Sequence, residues 1–193
     1  MIYYSSGTIL LLERIKMSNQ KLLIPADKMW PEIKRMALDI HSRYSTLNAD
    51  YALVGIHQLG VPLAEKLRNI ISEETGYTPD FAKLDISMYR DDISNRKRLP
   101  LIKETDIPFD VNGKILVLVD DVLSSGRTIR AALDAITDYG RPKVIRLAVL
   151  VDRGNPEFPI HADVTGFDIE IPAEDKIVVQ FDETPGIYRK EWN

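Results

Sequence analysis

The sequence predicts an α/β fold in which a parallel sheet is built from βαβ units. Two stretches, residues 116–119 and 144–151, are apolar almost throughout, as strands buried on both faces of a parallel sheet are. Strand-like stretches alternate along the chain with stretches of helical spacing, which is the order that βαβ units require. A chain of 193 residues, of which 45% are hydrophobic, can bury one core of this kind.

The first half of the chain predicts two helices and two strands. Apolar residues over residues 28–44 recur with the spacing of an amphipathic helix. Residues 51–56 (Y-A-L-V-G-I) predict a buried strand, and residues 62–75 predict a second helix that Gly76 ends. Residues 81–88 alternate between apolar and polar side chains and predict the next strand.

The second half contains the two apolar strands and a polar segment before them. Residues 89–110 are too long for a simple connection, which is typical of a mobile or functional segment. Residues 129–139, between the two apolar strands, have helical spacing. The tail contains two short strand-like stretches, residues 164–171 and 176–181.

Residues 1–16 do not share this pattern. Met17 opens the stretch M-S-N-Q-K, which resembles a natural start of translation. We therefore expect residues 1–16 to be an upstream extension, not necessarily ordered, and residues 17–193 to form a single domain.

The composition argues against several classes of function. The formal charge of −4 argues against a general affinity for nucleic acids or membranes. The chain has no cysteine, so it has no disulfide, thiolate nucleophile or cysteine-based metal site, and this fits a cytoplasmic location. No apolar stretch approaches the roughly 20 residues of a membrane-spanning helix.

The stretch L-V-L-V-D-D-V-L-S-S-G-R-T, from Leu116 to Thr128, carries the strongest functional signal. Asp120 and Asp121 follow the apolar strand, and a loop of small and hydroxylated residues precedes the predicted helix. Backbone N–H groups of such a loop attract a phosphate. The carboxylates can accept hydrogen bonds from ribose hydroxyls and help to hold a hydrated Mg²⁺. A plain turn capped by a serine is the alternative, but it does not need two consecutive carboxylates.

Topology predicts where this loop lies. Ligands of open parallel sheets bind at the carboxyl ends of the strands. Three polar turns, residues 57–60, 120–128 and 152–154, follow predicted strands. We therefore expect these three turns to converge at one edge of the sheet.

The stretch from Leu116 to Thr128 resembles the 5-phosphoribosyl-1-pyrophosphate (PRPP) motif of type I phosphoribosyltransferases. In that motif, four apolar residues precede two acidic ones and a T/S-G-x-T turn follows. Four further segments resemble the PyrR family of pyrimidine-operon attenuators, which are also uracil phosphoribosyltransferases. They are V-G-I-x-x-x-G-V-P-L-A (54–64), D-I-S-M-Y-R-D-D-I-S (85–94), D-I-P-F-D (106–110) and L-A-V-L-V-D-R-G (147–154), within a similarity that covers residues 20–182.

The resemblance implies a twisted parallel sheet flanked by helices, with a small hood and a flexible lid loop. It implies transfer of ribose-5-phosphate from PRPP to uracil, with UMP and pyrophosphate as products and Mg²⁺ as cofactor. It also implies a homodimer or homotetramer and a role in regulating pyrimidine genes. Two alternatives remain: a catalytically weak attenuator that binds RNA and senses UMP or PRPP, and a phosphoribosyltransferase for a purine base.

The same resemblance assigns the site residues. Asp120, Asp121 and Arg90 are the expected catalytic residues, and the two aspartates are also expected to hold the metal through water. The expected lid residues are Tyr89, Arg96 and Arg98, and the expected base-binding residues are Val151, Asp152 and Arg153. The expected PRPP-binding residues are Leu123, Ser124, Ser125, Gly126, Arg127, Thr128, His57, Gln58 and Gly60.

Two of these assignments have simpler alternatives. Asp152 and Arg153 could instead form an ion pair at the strand end. Arg96 and Arg98 could belong to a solvated loop surface. His57 has no partner at a metal-ligand spacing, so we expect a loop residue and not a metal ligand.

The chain departs from the family in the turn expected to face pyrophosphate. The family usually has T-R-G there, whereas this chain has Gln58-Leu59-Gly60. An arginine offers a bidentate grip on phosphate that Leu59 cannot replace. We therefore expect weaker PRPP binding or lower turnover.

The chain also departs from the family where the family binds RNA. The first helix keeps basic residues at Lys34, Arg35 and Arg43, but the segment after D-R-G is poorer in basic side chains. Each lost phosphate contact lowers affinity for RNA, so we expect weak or absent attenuation and doubtful RNA binding. The departures are Asn155-Pro156-Glu157 in place of H-R-E, His161 in place of Arg, and Phe167 in place of Lys.

Overall fold

The structure is a computed structural model that describes residues 20–46, 50–89 and 105–191. It separates into two compact units. The larger is Pro31–Glu170, and the smaller combines the described parts of Met1–Trp30 and Ile171–Asn193. The extension expected over residues 1–16 lies outside the described residues, so both it and the single domain stay predictions.

The described residues form eight strands and three helices, which are numbered in chain order. They are β1 (Gln20–Pro25), α1 (Ala26–Tyr44), β2 (Tyr51–Ile56), α2 (Gly60–Thr75), β3 (Asp80–Leu84), β4 (Ile115–Leu123), α3 (Arg127–Thr137), β5 (Val144–Asp152), β6 (Val164–Asp168), β7 (Lys176–Gln180) and β8 (Gly186–Lys190).

The larger unit is built on a five-stranded parallel sheet with the strand order β3-β2-β4-β5-β6. All six residues of β2 are buried, as are the first six of β4, which explains why both strands are apolar almost throughout. Side chains of β2, β4 and α3 share one apolar cluster that includes Val54, Leu118, Ile129 and Ile136. The predicted parallel α/β fold is confirmed.

β3 lies at one edge of this sheet. On its outer side, Lys83 pairs with Asp106 in an antiparallel bridge. The bridge consists of two backbone hydrogen bonds, one in each direction, with N···O distances of 2.9 Å.

The smaller unit contains an antiparallel sheet with the order β1-β8-β7. Trp30 packs against Phe181 with ring centroids 6.1 Å apart. The sequence predicted β7 but neither β1 nor β8. Both are short, and neither contains the long apolar stretch that marks β2, β4 and β5.

Several predicted boundaries need correction. The strand predicted over residues 81–88 ends at Leu84, because the Asp85 carboxylate accepts hydrogen bonds from the N–H and hydroxyl of Ser87 and forms a turn. The stretch predicted over 164–171 ends at Asp168. The helix predicted over 129–139 begins at Arg127 and ends at Thr137.

Within the part of the chain that the structure describes, none of the helices combines the length and the hydropathy that crossing a lipid bilayer requires.

Candidate functional site

The three polar turns predicted to converge do lie together, at the carboxyl end of the parallel sheet. Strand register shows this, because Gly55 of β2 pairs with Val119 of β4, and Leu123 of β4 pairs with Asp152 of β5. The strands run in the same direction, so the turns that follow β2, β4 and β5 leave the sheet on the same side.

The turn after β2 is held by backbone hydrogen bonds at both ends. The N–H of His57 donates to the carbonyl of Leu84 at 3.0 Å, and the carbonyl of Leu59 accepts from Leu63 at 3.2 Å. The peptide bond between His57 and Gln58 is cis. Gln58 is exposed, whereas Gly60 is buried and begins α2.

Gly60 lies directly against the backbone of β4. A Cβ atom added there would collide with the carbonyl oxygen of Val119 and would lie 3.2 Å from the Cα of Asp120. A Cβ on Gly55 would lie 2.6 Å from the Cα of Val61. Glycine at both positions lets the start of α2 approach the sheet closely, and this brings the turn after β2 next to Asp120.

The two carboxylates lie inside β4 and not after its end, which corrects the sequence prediction. Pairing with β5 continues to Leu123, so the strand includes both aspartates. Asp120 is 5% exposed, and its Oδ1 accepts the N–H of Asp121 at 3.0 Å. Burial raises the pKa of Asp121, and hydrogen bonds involving Asp120 and the backbone of Asp121 and Val122 partly oppose that rise.

The carboxylates of Asp120 and Asp121 suit a metal ion that takes most of its ligands from outside the protein. Over the described ranges 20–46, 50–89 and 105–191, no cluster of three or more histidine, aspartate or glutamate side chains could enclose a metal ion. Asp120 and Asp121 are two adjacent carboxylates near the carboxyl end of β4. Mg²⁺ commonly uses one or two carboxylates together with water and substrate phosphates.

The loop after β4 is short. It consists of Ser124, Ser125 and Gly126, because Leu123 is the buried last residue of the strand. Gly126 has φ +86°, a conformation that favours glycine, and α3 begins at the next residue. The carbonyl of Ser125 accepts the N–H of Glu157 at 2.9 Å, so the loop is anchored to the segment after β5.

Arg127 and Thr128 form the first turn of α3. The guanidinium of Arg127 donates to the Glu157 carboxylate through Nε at 3.1 Å and Nη2 at 2.6 Å, and it lies 5.4 Å from the ring centroid of Phe158. Thr128 is half-buried. The side chain of Arg127 therefore faces an acidic partner, while its backbone belongs to the helix N-terminus behind the loop.

The three residues expected near the base lie at the end of β5. Val151 is buried, and Asp152 accepts the N–H of Gly154 at 2.8 Å. The N–H of Arg153 donates to the carbonyl of Leu123 at 3.0 Å, and its guanidinium Nη1 donates to the hydroxyl of Ser124 at 3.2 Å. The side chain of Arg153 thus reaches the loop after β4.

The expected lid residues are only partly described. Tyr89 is half-buried, its N–H donates to the carbonyl of Ile86 at 2.9 Å, and its hydroxyl donates to Asp138 after α3. That hydrogen bond to Asp138 raises the pKa of Tyr89. Arg90, Arg96 and Arg98 lie outside the described residues, so their assignments stay predictions.

Two groups that support the site were not predicted from the sequence. Glu157 and Phe158 contact the loop after β4 and Arg127, but nothing in their spacing along the sequence indicated these contacts. Asp85 is buried, and Thr105 accepts its N–H at 3.0 Å. The D-x-S spacing of Asp85 and Ser87 is typical of a side-chain-capped turn and could have indicated that the strand ends there.

Comparison with known proteins gives a family match over most of the chain. A family model described as "Phosphoribosyl transferase domain" matches residues 25–184. The chain is 45% identical over 171 residues to the Bifunctional protein PyrR of Chloroflexus aurantiacus, covering 89% of this chain and 93% of that protein. It is 48% identical over 165 residues to the Bifunctional protein PyrR of a Picosynechococcus species, covering 85% and 92%.

Solved structures share the fold at much lower identity. A hypoxanthine-guanine phosphoribosyltransferase from Bacillus anthracis superposes with a TM-score of 0.67 at 20% identity, covering 87% of this chain and 96% of that chain. A hypoxanthine phosphoribosyltransferase from Trypanosoma cruzi gives a TM-score of 0.67 at 16% identity, covering 89% and 95%. These similarities establish the type of fold and no more.

We expect Asp121→Asn to stabilise the folded protein at neutral pH. Burial raises the pKa of Asp121 above its ordinary value of 3.8, so ionisation costs more in the folded state than in the unfolded chain. The advantage of asparagine should therefore be full above the raised pKa and should decline as pH falls through it. Below 3.8 the advantage should vanish, because both states then hold a protonated carboxyl.

Urea unfolding at neutral and acidic pH measures this difference. Asp134→Asn is the matched control, because Asp134 is an exposed residue of α3 and its substitution should change stability by less than about 0.5 kcal/mol. A loss of stability in Asp121→Asn at neutral pH, or a gain that does not depend on pH, would contradict the expectation.

Proposed function

We propose that this chain, which belongs to the phosphoribosyltransferase family and within it to the PyrR proteins, transfers ribose-5-phosphate from PRPP to N1 of uracil. The products are UMP and pyrophosphate. The observation that carries the proposal is the contact of Gly60 with Val119 and Asp120. This contact supports a site in which the turn after β2 faces pyrophosphate while the aspartates beside it face the ribose.

The reaction breaks the bond between C1 of the ribose and the pyrophosphate oxygen and forms a bond from C1 to N1 of uracil. The N1–H bond of uracil breaks as well, and its proton passes to solvent. Positive charge develops on the ribose as negative charge develops on the leaving group. Catalysis then depends on positioning and on fixed dipoles and charges. In this proposal Asp120 and Asp121 accept hydrogen bonds from the ribose hydroxyls and stabilise the positive charge.

Backbone groups at the edge of the sheet hold the phosphates in this proposal. N–H groups of the loop after β4 and of the first turn of α3 bind the 5-phosphate, because such N–H groups carry partial positive charge. The turn after β2 binds pyrophosphate. The proposed PRPP contacts are Ser124, Ser125, Gly126, Arg127, Thr128, His57, Gln58 and Gly60, with Leu123 fixing the start of the loop from within β4.

The proposed cofactor is Mg²⁺, with Asp120 and Asp121 as its protein ligands through water. Their two carboxylates fit an ion that keeps much of its hydration shell and completes its coordination with substrate phosphates. When bound, Mg²⁺ supplies positive charge that offsets the charge of the departing pyrophosphate.

The remaining assignments are part of the same proposal. Uracil lies against the end of β5, at Val151, Asp152 and the backbone of Arg153. Tyr89, Arg90, Arg96 and Arg98 belong to a lid, and Arg90 takes part in catalysis. By its family, the protein acts in the cytoplasm as a homodimer or homotetramer.

A purine base is the weaker alternative. The solved structures that bind hypoxanthine or guanine by name are 20% identical or less to this chain and share only its fold. The relatives at 45–48% identity over most of the chain are PyrR proteins. Uracil is therefore the base that the comparisons favour.

We expect UMP and pyrophosphate to form from uracil and PRPP in the presence of Mg²⁺. The double variant Asp120→Asn, Asp121→Asn should lose this turnover, since it removes both carboxylates, while remaining folded. Steady-state assays with uracil, hypoxanthine and guanine measure the activity and the choice of base. Absence of turnover with all three bases in the wild type would refute the enzymatic proposal, and turnover with a purine alone would refute the choice of uracil.

We expect Leu59→Arg to raise kcat/KM for PRPP about tenfold, which is the effect of one added charge-assisted contact to phosphate. Leu59 has αR backbone angles (φ −92°, ψ −15°), which an arginine adopts without strain. Leu59→Met is the matched control, because it keeps the size and apolar character of the side chain. An unchanged kcat/KM in Leu59→Arg would show that the missing arginine does not limit this enzyme.

A second candidate function is regulation by RNA binding, because the relatives are named bifunctional PyrR proteins. The basic residues of α1 that would contact RNA already face carboxylates. Lys34 lies 2.7 Å from Glu74, and Arg43 lies 2.7 Å from Asp39. Arg35 also pairs with Glu32 at 2.6 Å, so its positive charge is offset as well.

We therefore expect the protein to bind pyrimidine leader RNA only in the micromolar range or more weakly at physiological salt, which is typical of non-specific contact. Electrophoretic mobility shifts at two salt concentrations, with and without UMP, measure this. A scrambled RNA of the same length is the control. Nanomolar binding that prefers the leader sequence would contradict the expectation and establish the regulatory function.

A further inference from the structure

We propose that Arg153 positions the 5-phosphate of PRPP by acting through the hydroxyl of Ser124. This inference rests on the proposed function and adds a residue to its phosphate site. Arg153 follows β5, yet both its backbone and its side chain contact the end of β4. Its N–H donates to the carbonyl of Leu123 at 3.0 Å, and its Nη1 donates to Ser124 Oγ at 3.2 Å.

The direction of the hydrogen bond to Ser124 follows from the chemistry of the two groups. A guanidinium has donors only, so the Ser124 oxygen must accept. The hydroxyl hydrogen of Ser124 therefore points away from Arg153. Ser124 lies in the loop that is proposed to bind the 5-phosphate. Arg153 thus orients a hydroxyl donor toward the phosphate and adds positive charge behind it.

The other two arginines beside this loop face acidic side chains. Arg127 donates twice to Glu157. Arg130 lies 3.7 Å from Asp134, and both arginines lie within 5.8 Å of the Phe158 ring centroid. One guanidinium N–H group of Arg153 donates to a hydroxyl of the loop itself, that of Ser124.

In this proposal the side chain of Arg153 acts on the phosphate, whereas the family resemblance implies a role at the base. Its neighbour Asp152 accepts the N–H of Gly154, which shapes the turn at the end of β5. A residue that acts on the phosphate should change the kinetic constants for PRPP. A residue that contacts the base should change those for uracil.

Steady-state kinetics of Arg153→Gln and Arg153→Lys tests the proposal. Arg153→Gln should raise KM for PRPP about tenfold, as expected when a charge-assisted hydrogen bond is lost, and should leave KM for uracil within about twofold. Arg153→Lys should recover part of the loss, because it restores the charge without the guanidinium geometry. Arg130→Gln is the matched control and should leave both constants unchanged, since it removes an equivalent charge from α3, where Arg130 faces Asp134.

Calorimetric binding of ribose-5-phosphate separates this proposal from the proposed function. Ribose-5-phosphate carries the phosphate but no base and needs no turnover, so Arg153→Gln should weaken its binding about tenfold even if no UMP is formed. In a Ser124→Ala background the same substitution should have a much smaller effect, because the hydroxyl that Arg153 orients is absent. A rise in KM for uracil alone, or unchanged binding of ribose-5-phosphate by the folded Arg153→Gln and Arg153→Lys variants, would overturn the proposal.

Discussion

The site depends on how closely the start of α2 approaches β4. Gly60 lies against the backbone of Val119 and Asp120, and Gly55 lies against the backbone of Val61. A larger side chain at either position would separate the helix from the sheet, since a Cβ there meets backbone atoms that cannot move independently. The distance between the turn after β2 and the two aspartates is therefore fixed by backbone packing rather than by side-chain contacts.

Asp120 and Asp121 show that placing carboxylates in a buried strand lowers the stability of the folded protein. Asp120 is almost fully buried, and burial disfavours ionisation of Asp121. A strand selected only for stability would carry apolar residues in these places, as β4 does from Ile115 to Val119. Retaining two carboxylates at the end of such a strand is typical of a site where stability is reduced for the sake of function.

The sequence predicted the local parts of the fold and of the candidate site well. The buried strands, the amphipathic helices and the acidic stretch before a small-residue loop depend on spacing within single elements, so they could be inferred without tertiary structure. The end of β4 was harder to predict, because the last residues of this strand are held in the sheet by pairing with β5, where Leu123 lies opposite Asp152. Likewise β1 and β8 pair across most of the chain, with Gln20 opposite Lys190.

The partners of charged side chains also could not be predicted from the sequence. Arg127 lies within the PRPP-type motif, but its guanidinium faces Glu157, 30 residues later in the chain. The family resemblance assigns Arg153 to the base, but it gave no indication that the guanidinium of Arg153 donates to Ser124. A motif fixes where the backbone of a residue lies, but the direction of a long charged side chain is decided by neighbours from other elements.

The bridge between Lys83 and Asp106 has a consequence for how this protein behaves at high concentration. The outer edge of a parallel sheet presents unpaired N–H and C=O groups, to which a strand of another molecule can add. On β3, the backbone of Lys83 is already hydrogen-bonded to Asp106 on that side. Together with the charged Lys83 side chain, this bridge makes that part of β3 a poor template for a strand of another molecule.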